Sequence, residues 1–473
     1  MARFKAMDYD DILIETLKLF QEGGALLNKI YPRFDHLLID EFQDVNAVQY
    51  GLVKLWARKP KNLFIIGDPD QAIYGFRAAD YRYFESIYRE FPQAKVFNLS
   101  LNYRSTPQIL KAASAVINSK DGGLKIGRKD LQAIRQPGPK IRHIQVPTEL
   151  AQGIAIAHEI KRLVGGMDMT EIYHSKGKPL RSFSDIAILV RTNKEMEQIG
   201  ECLAKEGIPY RMVGKENVLN EKGVRYTLSF FKSVINHKDD LHHIMALKNP
   251  RFCKDDDLIR MVGLYAKENG LTIRSALRKT SQLADYLKTI EDYAEASVKR
   301  PKELILRFIE EERDHGFLSK RDIEAIEVLA DMAEEFSDMV SFLSSISLSQ
   351  EADLERAGRI GGEVVTLMTL HSAKGLEWPV VFIAGVEEGL IPLKDDKADY
   401  NDSLHEELRL FYVGLTRAED ELILLSSRRR TLFGQIREVE PSSFLKAIPK
   451  SCIETKAIKL EGENRKPEQL TLF

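Results

Sequence analysis

The chain has 473 residues, 44% of them hydrophobic and 30% charged, and its 69 basic and 71 acidic side chains leave a formal net charge of −2. That length and balance fit a multidomain globular protein of about three domains. No apolar run reaches the ~18 residues of a membrane span, the charged start is unlike a secretory leader, and Cys202, Cys253 and Cys452 lie too far apart for a zinc, disulfide or iron–sulfur framework, so a cytoplasmic protein without a membrane partner is expected.

The first element is the run His36-Leu-Leu-Ile-Asp40-Glu41-Phe-Gln-Asp44, an apolar stretch that breaks into acidic and amide side chains. It reads as a buried parallel strand, whose carboxyl end is where α/β folds place chemistry. Asp40 and Glu41 there suit a divalent metal and a base that activates water; alone, they suit a solvated acidic turn as well. Leu63–Gln71 repeats the design, and Ala72-Ile-Tyr74-Gly75-Phe76-Arg77 follows with two aromatics beside a glycine and an arginine. Such a cluster fits stacking on bases or packing at a helix start. Val96–Leu101 leads into Asn102-Tyr103-Arg104-Ser105-Thr106-Pro107, where Ser105 or Thr106 is placed to cap a helix beginning at Pro107. Arg104 falls at that junction, suited to phosphate or to solvent.

Further strands are read at 141–146, 185–190 and 209–213, with an amphipathic helix over 194–206. From about 247 to 362 the pattern is helical. Glu363–Thr369 is then a strand, followed by a loop with His371 and Glu377, and Val380–Gly385 is another. Apolar residues return at helical spacing over 406–418, and Arg417 lies just before a strand at 421–425. Arg428-Arg429-Arg430 is the densest basic run, read as a phosphate contact or a solvated loop.

In sequence order these blocks resemble the later motifs of the UvrD/Rep/PcrA group of superfamily 1 DNA helicases. "DEFQD" is similar to the Walker B motif and "GDPDQAIYGFR" to the motif linking nucleotide to DNA, while "NYRST", "TLHSAKGLE" and "YVGLTRA" match the fourth, fifth and sixth motifs. The resemblance implies ATP and Mg²⁺ as cofactors and single-stranded or duplex-junction DNA as partner. It implies that Asp40 holds Mg²⁺, Glu41 activates water and Gln71 senses the terminal phosphate. Tyr103 would stack on adenine, Glu377 would contact the ribose, and Arg104 and Arg417 would be the two arginine fingers. Tyr74, Phe76 and His371 fall where the family meets DNA. Phe76 stands in place of the usual tryptophan, and Ala78 stands where a glycine is common.

The implied fold is α/β: RecA-like parallel-sheet motor domains, the first incomplete, with a helical insert in the second. Residues 1–107 correspond to the second half of the first motor domain, and 108–246 and 363–450 to the two parts of the second. The helical insert is 247–362 and the flexible tail 451–473. The family's Gly-x-x-x-x-Gly-Lys-Ser/Thr phosphate cradle has no counterpart string; Gly122–Lys129 has the glycine spacing without the Lys-Ser/Thr ending. A truncated form impaired in ATP binding is therefore expected, with a separate polypeptide as one source of the missing half. A tail ending Gln469-Leu470-Thr471-Leu472-Phe473 resembles the peptide by which bacterial repair proteins bind the sliding clamp. The expected activity is ATP-driven 3′→5′ DNA unwinding in repair, recombination or replication restart. A non-catalytic DNA-binding or regulatory module is the alternative, and the motor of a helicase–nuclease ranks third.

Overall fold

The structure, a computed structural model, describes residues 7–22, 29, 35–57, 62–119, 131–165, 181–213, 219, 221–279, 283–296, 300–313, 315, 317–348, 363–393, 400–432 and 435–458. They fall into two compact units, one of Met1–Tyr9 with Gly214–Gly361 and one of Asp10–Val213 with Gly362–Phe473.

The second unit opens with α1 (Tyr9–Glu22), β1 (His36–Ile39), α2 (Ala47–Trp56), β2 (Asn62–Ile65) and α3 (Tyr83–Glu90). A capping box fixes the start of α2: the Asn46 side chain accepts from Val48 and Gln49, and Gln49 answers the Asn46 amide. β1 and β2 form a parallel two-stranded sheet with Leu38 opposite Phe64. One face packs on Phe42, Val45, Tyr50 and Ile87. The other is bare: Leu38, Phe64 and Ile66 are 66%, 55% and 52% exposed. The buried strand expected at 36–39 is thus only half-covered.

Next come β3 (Leu101–Asn102), α4 (Pro107–Ile117), β4 (Gln132–Ala133), β5 (Ile141–Thr148), α5 (Glu149–Val164), β6 (Ile186–Val190), α6 (Asn193–Lys205) and β7 (Tyr210–Val213). Thr106 stands at the α4 N-cap but makes no side-chain cap, its hydroxyl has no partner, and Ser105 donates instead to the Ala418 carbonyl at 2.7 Å. Pro107 starts that helix without the expected cap, since its missing N–H would have gone unbonded anyway. Helix α5 ends in Gly165 at φ 85°, the left-handed stop that glycine adopts without strain.

The helical unit comprises α7 (Lys222–Ile235), α8 (Asp240–Leu247), α9 (Asp256–Glu268), α10 (Ile273–Leu277), α11 (Ala284–Glu295), α12 (Pro301–Arg313), α13 (Lys320–Met332) and α14 (Met339–Leu348). Its core gathers Phe230, Phe231, Tyr286, Tyr293 and Phe308. The fully buried Glu312 is met by Arg251 at 3.0 Å and Asn249 at 2.8 Å. This unit takes in α7 and α8, so it begins upstream of residue 247, where the helical insert was expected to start.

The chain returns through β8 (Val365–Thr369), β9 (Trp378–Ile383), α15 (Tyr400–Leu415), β10 (Ala418–Leu432), β11 (Gln435–Glu438) and β12 (Ile453–Ala457). Strand order is β12-β5-β10-β9-β6-β8-β7, all parallel, with β11 antiparallel beside β10. Both faces are covered, so the strands read as continuous apolar runs. Along β6, Ala187 and Leu189 enter one core with α4 and α15; Ile186, Ile188 and Val190 enter the other with α5 and α6. This is the expected α/β class, a large parallel sheet layered with helices. β10 runs longer than the strand read at 421–425 and carries Arg428–Arg430 within it. Arg430 is 5% exposed and bonded to Glu387 and Gln152, which removes both readings of that run at this residue. Among the described residues no helix is long and apolar enough to cross a membrane.

Candidate nucleotide and nucleic-acid site

The carboxyl ends of β1 and β2 are tied by one buried amide. Gln43 donates to Glu41 and accepts from the Asp68 amide at 3.0 Å. A Cβ on residue 67 would lie 2.4 Å from the Gln43 oxygen, so Gly67 is the residue that lets the two turns approach. Glu41 itself is left-handed at φ 49°. Asp40 accepts from the Glu41 amide at 2.8 Å, and both carboxylates face solvent. Gln71 donates to Asp68 at 2.8 Å. Burial, then the neighbouring Asp70, pushes the Asp68 carboxyl above the usual carboxylate range.

Lys374, on the loop after β8, enters this acidic cluster. Its Nζ lies 2.5 Å from Asp44 Oδ2, 3.0 Å from the Gln71 carbonyl and 3.8 Å from Glu41. Burial raises Asp44 although Lys374 opposes it, and Asp44 Oδ1 is buried without a partner. The same Nζ sits 5.0 Å above the Tyr74 ring. Tyr74 and Phe76 meet edge to face at 5.9 Å, and Phe76 and His371 at 5.8 Å, with Arg77 over both Tyr74 and Phe76. Phe76 is 65% exposed. Burial, then Arg191 and Arg77, pushes His371 down to about 4, so it is neutral at pH 7. The result is an aromatic platform joined through one lysine to a carboxylate cluster. Ala78, at φ 60°, holds the conformation a glycine would adopt freely.

Arg104 bonds Glu377 and reaches toward the Thr416 carbonyl, while Tyr103 is 70% exposed. Arg417 is buried, donating to the carbonyls of Val413 at 2.9 Å and Leu376 at 3.0 Å and to Thr416 Oγ1 at 3.2 Å. Burial and the nearby Arg104 push its guanidinium down to about 10. Asp40, Glu41 and Gln71 are thus brought together with Tyr74, Phe76 and His371, while Arg104, Glu377 and Arg417 gather as a second group. Gln469, Leu470, Leu472 and Phe473, and the Gly122–Lys129 segment, lie outside the described residues. Sequence reasoning assigned no role to Gln43 or Lys374; an amide inside an acidic run and a lysine between His371 and Gly375 were the available signals.

Residues 97–429 match the UvrD-like helicase C-terminal domain, and residues 1–92 the UvrD/REP helicase N-terminal domain. The ATP-dependent DNA helicase PcrA of Staphylococcus aureus Mu50 is 31% identical over 481 residues, covering 96% of this chain and 63% of that protein. PcrA of Staphylococcus epidermidis ATCC 12228 is 31% identical over 482 residues with the same shares. The chain therefore spans less than two thirds of these relatives' length. A solved C-terminal domain of a possible DNA helicase from Lactobacillus plantarum WCFS1 covers 75% of the chain at 10% identity and TM-score 0.30, too slight a likeness to bear on the fold.

Proposed function

The chain belongs to the UvrD-like DNA helicase family, and on that premise we propose that it serves ATP-dependent 3′→5′ translocation on single-stranded DNA and duplex unwinding, in repair, recombination or replication restart. The observation that carries this is the continuity of the site: Lys374 touches Asp44, the Gln71 carbonyl and the Tyr74 ring at once. A change at the aromatic platform is thereby one residue away from the carboxylates.

Bound Mg²⁺-ATP supplies the phosphoryl group and the counter-charge around it. The donor set suits that group: two exposed carboxylates, an unpartnered buried Asp44 oxygen and two arginines. Asp40 would be the carboxylate that holds the Mg²⁺ accompanying the nucleotide. Glu41, oriented by Gln43, accepts the proton of the attacking water. Gln71 holds the terminal phosphate, Tyr103 stacks on the base and Glu377 binds the ribose. Arg104 and Arg417 offset the charge that grows on the transferring group. For Arg417 this requires giving up bonds to its own helix end. That engagement favours, as a second reading, a non-catalytic DNA-binding or regulatory module.

The sequence holds no Gly-x-x-x-x-Gly-Lys-Ser/Thr string, so tight nucleotide binding needs a phosphate cradle from elsewhere. The bare apolar face of Leu38, Phe64 and Ile66 supports a further polypeptide segment packing on β1 and β2. The terminal Gln469–Phe473 segment is proposed to engage a sliding clamp, and the protein to work in the cytoplasm.

The test is ATP hydrolysis by the 473-residue chain with and without single-stranded DNA, beside Glu41→Gln. DNA-stimulated turnover lost in Glu41→Gln supports the motor. No turnover, with DNA bound, supports a motor that awaits a phosphate cradle or the regulatory module.

A further inference from the structure

Helix α15 carries Arg417 just beyond its end, and its earlier turns hold the aromatic platform. Glu406 and Arg409, three residues apart on one helical face, both reach the 72–76 loop. Glu406 Oε1 accepts from the Gly75 amide at 3.0 Å. Arg409 Nε donates to the Ala72 carbonyl at 2.7 Å, and its guanidinium lies 4.5 Å above the Tyr81 ring. Arg409 is 8% exposed, so its bond is made away from competing water. A Cβ on residue 75 would fall 2.9 Å from Glu406 Oε2: the carboxylate takes the space that any side chain there would fill. The next residue, Glu407, turns to the other flank and forks onto Arg191 at 2.7 Å. Arg191 in turn is one of the cations acting on His371. The Tyr74–Phe76 half of the platform is therefore held to α15 directly.

We propose that Glu406 and Arg409 are positioning residues for nucleic-acid stacking: they bolt the 72–76 loop to α15 and so fix where Phe76 presents its ring. This rests on the reading that the Tyr74–Phe76–His371 platform meets single-stranded DNA. Neither side chain touches the DNA; each acts through the backbone of the loop. A carboxylate serves at 406 because it accepts the Gly75 amide, and a charged acceptor bonds an amide more strongly than a neutral one.

A double-mutant cycle on the full chain tests this, with fluorescein-labelled dT16 as probe and anisotropy as readout. Phe76→Ala is expected to weaken binding about tenfold and Glu406→Gln about fivefold, within the range of one lost base–aromatic stack. The double variant is expected to bind no more weakly than Phe76→Ala alone, because a misplaced ring and an absent ring lose the same contact. A generally loosened fold would instead multiply the two losses. Gly75→Ala displaces the Glu406 carboxylate while leaving the sequence of α15 unchanged; it is expected to match Glu406→Gln, and it carries the test if that variant melts early. Wild-type affinity in both variants, or losses that multiply with Phe76→Ala, overturns the positioning role. If wild type fails to bind dT16, or Phe76→Ala binds as tightly as wild type, the DNA-platform reading falls and the positioning role falls with it.

Discussion

Replacing Arg430 with methionine removes one cation that faces two buried carboxylates. Arg430 is 5% exposed, bonded to Glu387 (0% exposed) and 3.3 Å from Glu195 (3% exposed), and it also donates to Gln152 at 2.8 Å. Without it, Glu387 keeps two donors from Ser427, its amide and hydroxyl, each at 2.6 Å. Glu195 keeps the Gln152 and Arg191 nitrogens at 3.4 and 3.3 Å. Breaking a buried pair from one side costs about 3–5 kcal/mol, so in a unit of this size Arg430→Met should unfold roughly 5–8 °C below wild type, at about 1.5 °C per kcal/mol. Burial already raises Glu195 against the pull of Arg430, and losing the arginine raises it further. A carboxyl with a raised folded-state pKa binds its proton more tightly folded than unfolded, so its penalty is greatest at high pH and fades as pH falls. The deficit should therefore be larger at pH 8 than at pH 5. Trp56 and Trp378 are the two tryptophans; in a Trp56→Phe background, the fluorescence of the 7%-exposed Trp378 on β9 follows this sheet alone. A loss below about 1 kcal/mol, or an equal deficit at both pH values, would refute the charge-burial account.

Two more outcomes follow from the same physics. Burial pushes His143 and His243 down to about 4, so the stability they add is fully present above the unfolded value near 6.5 and is lost as pH falls toward 4; His143→Gln should flatten part of that slope in urea titrations. Ala78→Gly should stabilise by about 0.5–1 kcal/mol, since a left-handed alanine is strained by more than glycine's added freedom costs; an unchanged or lower melting temperature would contradict this.

The large sheet was legible because strands buried on both faces leave unbroken apolar runs, as at 186–190 and 380–383. The two-stranded sheet carries the same signal but lacks a second covering layer, so apolar sequence there did not mean burial. Arg430 was misread because three successive arginines look solvated, and what buries one of them is a carboxylate 43 positions away. Position 247 was an unmarked boundary: α7 and α8 carry the same helical pattern as their successors, and only packing assigns them to that unit. At the site, side chains whose chemistry is local to a strand end, such as Asp40 and Glu41, stood out. Gln43, Lys374, Glu406 and Arg409 work through partners remote in sequence, which no spacing announces.

Helix α15 also works as a ruler. Glu406 and Val413, whose carbonyl takes the Arg417 guanidinium, are seven positions apart, close to two full turns, so at 1.5 Å per residue they stand about 10 Å apart on the same side of the rod. A deletion of one residue between them would swing one end about 100° against the other. The platform grip and the arginine would then point to different sides of the helix, however well each substituted turn still packed. Length in this segment is thus a constraint in its own right, beside the identity of the residues that make its bonds.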